Sequence, residues 1–450
     1  MSIAGTIGTF GGAAGGAATT YGTGSGTRSG TSPAPGRSAA PAGAARLFAA
    51  GAVADLRRHL DTFGPLPAGL SAQGLAAELE ASGLTGRGGA AFAAWRKLAA
   101  TSAGGDAAAE AAGASAGRRR KGTVAIVANG AEGEPDSFKD RTLLANAPHL
   151  VIDGLLAAAN ALGASELYLY TNAGSLPAAS AALAERSDAR RIKLVEAPDS
   201  FVAGEASAVV RAIGRGPALP RDKAARLSQS GVKGLPTLVH NVETLAHIAL
   251  IARFGASWFR WLGSAADPGT RLATVCGDVP APTVYEIVGD SVLVDVLAAA
   301  GAGSGSRVLV GGFHGRWVSP DGLRLSPAGP DGEVVHPGAG VLHVLGPGRC
   351  GVEATAAMLD YLAGESAKQC GPCLFGLPAL AATWRRMAAG APDAALAAEG
   401  HRLGSLVAGR GACHHPDGSV RLSGSALAAF AGDIEAHRQG HCTATGRRLG

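Results

Sequence analysis

Apolar residues in this chain fall into short continuous runs separated by longer stretches with a helical period. Residues 123–128 (TVAIVA), 166–171 (ELYLYT) and 191–196 have strand length. The first is apolar throughout, as in a strand buried on both faces. Helical patterning occupies 148–163 and 176–187 between them. Upstream, residues 71–82 (SAQGLAAELEAS) predict a helix capped by Ser71, and 46–62 a short strand or helix. Residues 199–213 turn into a helix at Gly204 and Glu205. Residues 226–245 predict a loop and then a polar helix start at His240, Asn241, Glu243 and Thr244, and 258–263 close the unit. This strand–helix alternation predicts an α/β domain with a mostly parallel sheet over residues 46–265.

The texture changes after residue 265. TRLATVCGDV, PTVYEIV, SVLVDVLAAAG and RVLVGGFHGRWV give short strands around one helix, with Gly and Pro turns. That pattern suits a small β-grasp-like module, a soluble-ligand-binding type of fold, over residues 266–345. Residues 346–450 are mostly helical and carry the chain's C-x-x-C. Residues 1–45 are Gly, Ala, Ser, Thr and Pro without an apolar period, which predicts a disordered segment. Residues 101–117 are a second low-complexity stretch and predict a surface insertion.

Composition narrows the function classes. At 450 residues and 47% hydrophobic, the chain is too long for one simple core. Its net charge of +5 is modest, and RRRK at 118–121 reads as a solvated loop. No basic stripe interleaved with aromatics predicts a nucleic-acid partner. No apolar run reaches the ~18 residues of a membrane span. The longest candidate, 150–162, is interrupted by Asp153 and Gly154. The N-terminus lacks a charged region followed by a compact apolar core, so no signal peptide is predicted. The cysteines do not form a disulfide framework. Their C-x-x-C points to reduced thiols and metal, and so to a cytoplasmic setting.

Two stretches carry candidate chemistry. Residues 83–97 (GLTGRGGAAFAAWRK) place four glycines and Arg87 before a predicted helix bearing Phe92 and Lys97. Glycines allow close backbone approach to an anion, and a helix N-terminus favours negative charge. A phosphate-bearing cofactor is the predicted ligand, and an ordinary turn the alternative. Residues 129–141 (NGAEGEPDSFKDR) crowd Asn129, Glu132, Glu134, Asp136, Lys139 and Asp140 at a strand's carboxyl end, where open α/β sheets bind ligands.

These motifs carry a resemblance. GLTGRGGAAF resembles GLRGRGGAGF, NGAEGEPDSFKDR resembles NADEGEPGTFKDR, and GVKGLPTLVHNVETLA resembles GLWGKPTTINNVETLA. All three belong to the flavoprotein subunit of respiratory NADH:quinone oxidoreductase, a family with relatives in hydrogenases and formate dehydrogenases. With the cysteine-bearing end, the resemblance covers roughly residues 70–445. It implies an FMN-binding α/β domain, a β-grasp module and a helical iron–sulfur bundle. It further implies that Gly86, Arg87, Gly88 and Lys97 hold the flavin phosphate and edge, that Asn129 and Asn241 bond the flavin, and that Thr244 lies near its phosphate. Phe92 would stack on the nicotinamide dinucleotide, with Glu134, Gly204 and Glu205 around the nicotinamide. The implied activity is NAD(P)H oxidation, with electrons leaving through iron–sulfur to a ferredoxin-like or other iron–sulfur partner, or to a membrane-bound component. An assembly or regulatory relative with a dead nucleotide site is the alternative. The implied location is cytoplasmic, or peripheral to a membrane through a partner.

The departures from the family pattern matter as much. Its Asp in NADE is Ala131 here, the Tyr of GAYICGEE is Phe201, the second Glu of that motif is Ala206, and an aromatic becomes Arg226. Losing a carboxylate and gaining a guanidinium favours a 2′-phosphate, which predicts a relaxed nucleotide choice extending to NADPH. Against ESCGKCTPC, Cys370 and Cys373 match two thiolates and Cys413 the distant fourth, while the first cysteine is Ala367. The set implies a [4Fe–4S] cluster, or a variant with a non-cysteine fourth ligand, for which His414 and His415 are candidates. Zinc, or a redox pair without metal, are the other readings of a C-x-x-C. Cys276 and Cys442 read as a buried small residue and an unpaired tail thiol.

Overall fold

The computed structural model describes residues 7–10, 46–52, 55–111, 124–221 and 225–449. The readings of 1–45 as disordered and of 118–121 as a solvated loop lie outside the described residues, with one exception. Ile7–Phe10 form a strand, β1, that pairs antiparallel with a strand nearly three hundred residues on. A β-branched and aromatic tetrapeptide suffices where a sheet edge accepts it.

The first region opens with α1 (Leu56–Phe63), α2 (Ala72–Ser82) and α3 (Ala94–Ala111). Ser71 caps α2 through a 3.0 Å bond from Gly74 N–H, as its sequence predicts. α3 extends through residues 101–111, half of the stretch read as an insertion, because its alanines are strong helix formers. Then follow β2 (Ala125–Gly130), α4 (Lys139–Asn146), α5 (Pro148–Leu162), β3 (Glu166–Asn172), α6 (Leu176–Ala184), β4 (Ile192–Ala197), α7 (Ala206–Ile213), β5 (Thr237–Asn241) and α8 (Val242–Arg260). Two of these escaped the sequence reading. α4 begins on charged residues that read as loop, and β5 runs into α8 without a turn. Asn241 is both the last residue of β5 and the cap of α8, accepting the Glu243 N–H at 3.0 Å.

The four strands form an all-parallel sheet in the order β4-β3-β2-β5. Chain order therefore reverses between β2 and β5, and such a switch leaves a crevice beyond the carboxyl ends of the two strands. α5 is buried almost all round, which is why it is apolar on every face. It crosses α8 at Gly154, where a Cβ would stand 1.9 Å from Leu245 O. Asp153 beside it receives His59 Nε2 at 2.7 Å, Arg186 at 2.6 Å and Arg253 at 2.5 Å. Burial pushes this carboxyl up, but the three partners outweigh it and hold it below the usual range.

The second region holds β6 (Thr270–Gly277), β7 (Thr283–Val288), β8 (Ser291–Val292), α9 (Leu293–Ala299), β9 (Arg307–Val310), β10 (Arg316–Val318), β11 (Arg324–Leu325), β12 (Val334–Val335) and β13 (Val341–Leu345). Its main sheet has the order β1-β7-β6-β13-β9-β10, with β13 parallel to β6 and the other pairs antiparallel. Arg46 clamps it to the first region. Its guanidinium donates to Phe259 O at 2.7 Å and Trp258 O at 2.8 Å, and its N–H to Glu286 on β7 at 3.0 Å. The helical end comprises α10 (Gly351–Gly364), a π-helical turn (Pro372–Gly376), α11 (Leu377–Ala388), α12 (Leu396–Val407), α13 (His415–Ala429) and α14 (Ala431–Arg438). Among the described residues, no single helix is long and apolar enough to cross a membrane.

Candidate functional site

Asn129 and Asn241 end β2 and β5 and face each other in register at the switch point. The glycine-rich stretch closes over them. Gly86 N–H donates to Phe92 O at 2.8 Å and Ala94 N–H to Leu84 O at 3.0 Å, so residues 84–94 form a closed loop. Gly89 takes φ +106°, a conformation side chains disfavour, and a Cβ on Gly88 would press on Asn241 at 3.3 Å. The Arg87 N–H donates to Thr244 Oγ1 at 2.9 Å, tying the loop to the first turn of α8.

The two cations of this stretch have different surroundings. Arg87 is 3% exposed, and its guanidinium is engaged by Asp267 Oδ1 at 3.2 Å, Thr270 O at 3.1 Å and Pro268 O at 3.3 Å. Its side chain therefore anchors the loop, while its buried Nε has no hydrogen-bond partner. Lys97, half-buried on α3, has no ion-pair partner among the described residues. Burial lowers its pKa, and the more distant Glu205 charge opposes this. His240, buried on β5, lies close enough for Lys97 to depress it further after burial, to about 3, and its Nε2 has no hydrogen-bond partner. An unpaired ammonium beside an orphaned ring nitrogen, at the crevice of a parallel sheet, fits an anionic, hydrogen-bonding cofactor such as FMN.

A polar network underlies this floor, and the sequence reading named its members without joining them. Lys139 Nζ bonds Asp140 Oδ1 at 2.7 Å and Glu243 Oε2 at 2.9 Å. Asn241 Nδ2 donates to Asp140 Oδ2 at 2.6 Å, and Glu243 Oε1 accepts Leu272 N–H at 2.8 Å. Burial raises Asp140 to about 7 against the pull of Lys139. Unlike charges in two motifs a hundred residues apart were the available signal. Asn129 is held by its own bonds, donating to Gly204 O at 2.9 Å and accepting Ala131 N–H at 3.2 Å. The amides of both asparagines thus position loops, leaving the strand ends and backbone as the crevice wall.

On the other side, the loop at 131–134 stacks on the turn at 201–204. A Cβ on Gly133 would meet Phe201 O at 2.2 Å. Glu205 caps α7, accepting Ser207 and Ala208 N–H at 2.9 and 3.1 Å, so its carboxylate serves the helix. Glu134 accepts Phe313 N–H from the second region at 2.8 Å. Burial raises it to about 7, opposed by N–H groups of Phe313 and His314. Phe92, by contrast, is 47% exposed at the mouth of the loop. The Phe201 ring lies edge-on to His314 at 4.6 Å and His415 at 5.3 Å, and its N–H donates to Glu365 at 3.0 Å, so all three regions meet there.

Cys370, Cys373 and Cys413 lie in the helical end that contributes His415 and Glu365 to that junction. Cys370 precedes the π-helical turn, Cys373 lies in it, and Cys413 leads into α13. Burial, then the neighbouring Cys370 and Cys413, push the Cys373 thiol up to about 12; the three sulfurs are not all within 4.8 Å of one another, a wider spread than a single metal ion takes. Cys373 and Cys370 pack with Leu377, Val407, Ala363 and Val420. Three soft donors, Cys373 and Cys413 buried and Cys370 half-buried, fit an iron–sulfur cluster, whose ligands are spread over several irons. Neither histidine candidate supplies a fourth ligand. His415 Nε2 bonds Leu362 O at 2.8 Å and its Nδ1 meets His314 at 3.1 Å, while His414 is exposed beside Asp417. The buried Ser366 hydroxyl, one residue before Ala367, has no hydrogen-bond partner.

A doubly wound cofactor crevice joined to a three-thiol site defines a flavin- and iron–sulfur-bearing electron-transfer protein. Comparison with known proteins agrees. Residues 79–250 match the Nuo51 FMN-binding domain, and residues 353–437 match the NADH-ubiquinone oxidoreductase-F iron–sulfur binding region. An NADH-quinone oxidoreductase subunit of Rhizobium meliloti is 27% identical over 69% of this chain and 80% of that relative. The NADH-quinone oxidoreductase subunit of the same type in Aquifex aeolicus is 27% identical over 66% of this chain and 70% of its own length. The NAD-reducing hydrogenase HoxS subunit alpha of Cupriavidus necator is 32% identical over 43% of this chain, which spans 35% of that subunit. A chain of the solved NAD+-reducing [NiFe]-hydrogenase in its H2-reduced state superposes with TM-score 0.70 and 27% identity, over 82% of this chain and 63% of that one. The chain belongs to the family of NADH:quinone oxidoreductase flavoprotein subunits, as a divergent member.

Proposed function

We propose that this chain takes electrons from a reduced nicotinamide nucleotide at the β2–β5 crevice and passes them, through the three-thiol site, to a second iron–sulfur protein. The observation that carries this reading is the unpaired Lys97 beside the switch point where Asn129 and Asn241 end adjacent strands. Bound there, FMN supplies a two-electron hydride acceptor, and a cluster on Cys370, Cys373 and Cys413 supplies a one-electron carrier. Lys97 neutralises negative charge on the flavin, Gly86 and Gly88 let the backbone approach it, and Thr244 fixes the loop. Phe92 offers an exposed ring for the dinucleotide to stack on. Glu134, with its pKa raised to about 7, carries only part of a negative charge near neutral pH, which limits its repulsion of a phosphorylated donor.

The helical position of Ala206 and the exposed Arg226 support a donor choice relaxed toward NADPH. We assign residues 46–265 to the flavin domain, 266–345 to a β-grasp-like soluble-ligand-binding module and 346–450 to the cluster domain. The parallel pairing of β6 with β13, flanked by antiparallel strands, supports the middle assignment. Leu374 and Phe375 follow Cys373 directly, and Phe375 is 76% exposed, so an apolar face adjoins the cluster residues where an iron–sulfur partner would dock. The reading places the chain in the cytoplasm, reaching a membrane only through that partner.

Lys97→Met tests the flavin assignment. The variant should fold, since Lys97 has no ion pair among the described residues to lose, and bind FMN at least about tenfold more weakly, as loss of a charge-assisted contact predicts. Fluorescence titration of apoprotein with FMN reads the change. Unaltered affinity would move the flavin elsewhere.

A further inference from the structure

Cys350, His437 and Cys442 lie outside the site described above, and their sequence positions gave no hint of a common role. Three elements bring them together. Cys350 caps α10, His437 is in the last turn of α14, and Cys442 begins the turn that brings the chain's end back on itself. All three are buried, and their ligand atoms lie within 4.8 Å of one another.

The arrangement is preorganised for a cation. His437 Nδ1 is 3.2 Å from Met387 O, a carbonyl that can only accept, so Nδ1 carries the proton. Nε2 is left with a free lone pair, 3.4 Å from Cys350 Sγ. A backbone carbonyl that fixes a ligand histidine's tautomer is a recurrent support of metal sites. Cys350 Sγ also receives the Glu353 N–H at 3.4 Å as the cap of a fourteen-residue helix. Cys442 is held on both backbone sides: its N–H donates to Arg447 O and its carbonyl accepts Gly446 N–H, each at 2.9 Å.

We propose that Cys350, His437 and Cys442 bind a divalent zinc-class ion, distinct from the iron–sulfur site. Two thiolates, one neutral imidazole and a dication sum to zero charge, which a buried position requires. Two sulfurs and one nitrogen are donors zinc prefers in tetrahedral sites, and one position remains for water. α10 separates this site from the cluster thiols by about 20 Å, at about 1.5 Å per residue. One helix therefore carries a metal site near each end. The ion would staple the chain's last turn to the start of α10 and the end of α14.

Zinc and iron are measured together in the full-length, flavin- and iron-loaded protein and in three variants. The parent should hold stoichiometric zinc. Cys442→Ser and His437→Gln should lose it, at least tenfold, while keeping iron and flavin. Cys373→Ser should lose iron and keep zinc. If the first two variants do not fold, cobalt added to the zinc-stripped parent decides the matter: thiolate-to-cobalt charge-transfer absorption should appear with iron still in place. Three results would overturn the proposal. They are an iron-loaded parent that neither contains zinc nor acquires it or cobalt, zinc lost in Cys373→Ser but retained in Cys442→Ser, and a Cys350–Cys442 disulfide in unreduced peptides.

Discussion

Arg87 and Lys97 sit in one glycine-rich stretch, yet their surroundings differ. Asp267 and two backbone carbonyls engage the Arg87 guanidinium, whereas Lys97 has no ion pair among the described residues. Residue type alone could not separate them, because the difference arises from a β-region carboxylate 180 positions away. The same holds for Glu134, whose environment comes from Phe313 and His314. Its folded pKa of about 7 stands above its ordinary 4.5. Below 4.5 both states are protonated. From 4.5 to 7 the unfolded chain gives up the proton while the folded chain keeps it. Stability from this group therefore falls as pH rises through that window and is level above it. Glu134→Gln should remove the loss, making the variant relatively more stable at pH 8 than at pH 5 by up to about 3 kcal/mol. Denaturant midpoints at the two pH values check this, and an unchanged difference would mean that Glu134 titrates normally.

The crossing of α5 and α8 sets the position of the switch point, since α8 grows directly out of β5. Gly154 lets the two backbones touch at Leu245 O. Gly154→Ala should therefore cost about 3 kcal/mol or more, read as a lowered denaturant midpoint, because backbone cannot yield as a side chain would. A loss under about 1 kcal/mol would show that the crossing has slack. At this scale the sequence was readable wherever an element stood alone. α2 with its Ser71 cap, α5, β2, β3 and β4 all follow from period and length. Elements without punctuation were not: β5 merges into α8, α4 starts on charges, and α3 continues into an alanine-rich stretch that resembled an insertion. The sheet order, and with it the crevice, was not readable from pattern, since pairing is decided by packing among distant strands.

Across the whole molecule, Phe201 marks the place where the flavin-domain turn, the 313–314 loop and the helical end meet. Sequence motifs supplied the glycine loop, the acidic loop and the three thiols, but not their common junction. They also left open whether His414 or His415 completes the thiol set, and the structure gives both rings other partners. Ala367 therefore leaves one metal position without a protein thiolate. The flavin crevice keeps its cation and its strand ends, while the nucleotide side has lost carboxylates and an aromatic. We propose electron uptake with a loosened donor preference as the consequence. An anaerobic titration of the flavin- and iron-loaded protein with NADH, and in parallel with NADPH, tests this most directly through flavin and cluster absorbance together. The account predicts that both nucleotides bleach the flavin, with affinities within about tenfold (~1.4 kcal/mol) of each other, and that cluster bleaching follows. A flavin that stays oxidised in the presence of both nucleotides would contradict it.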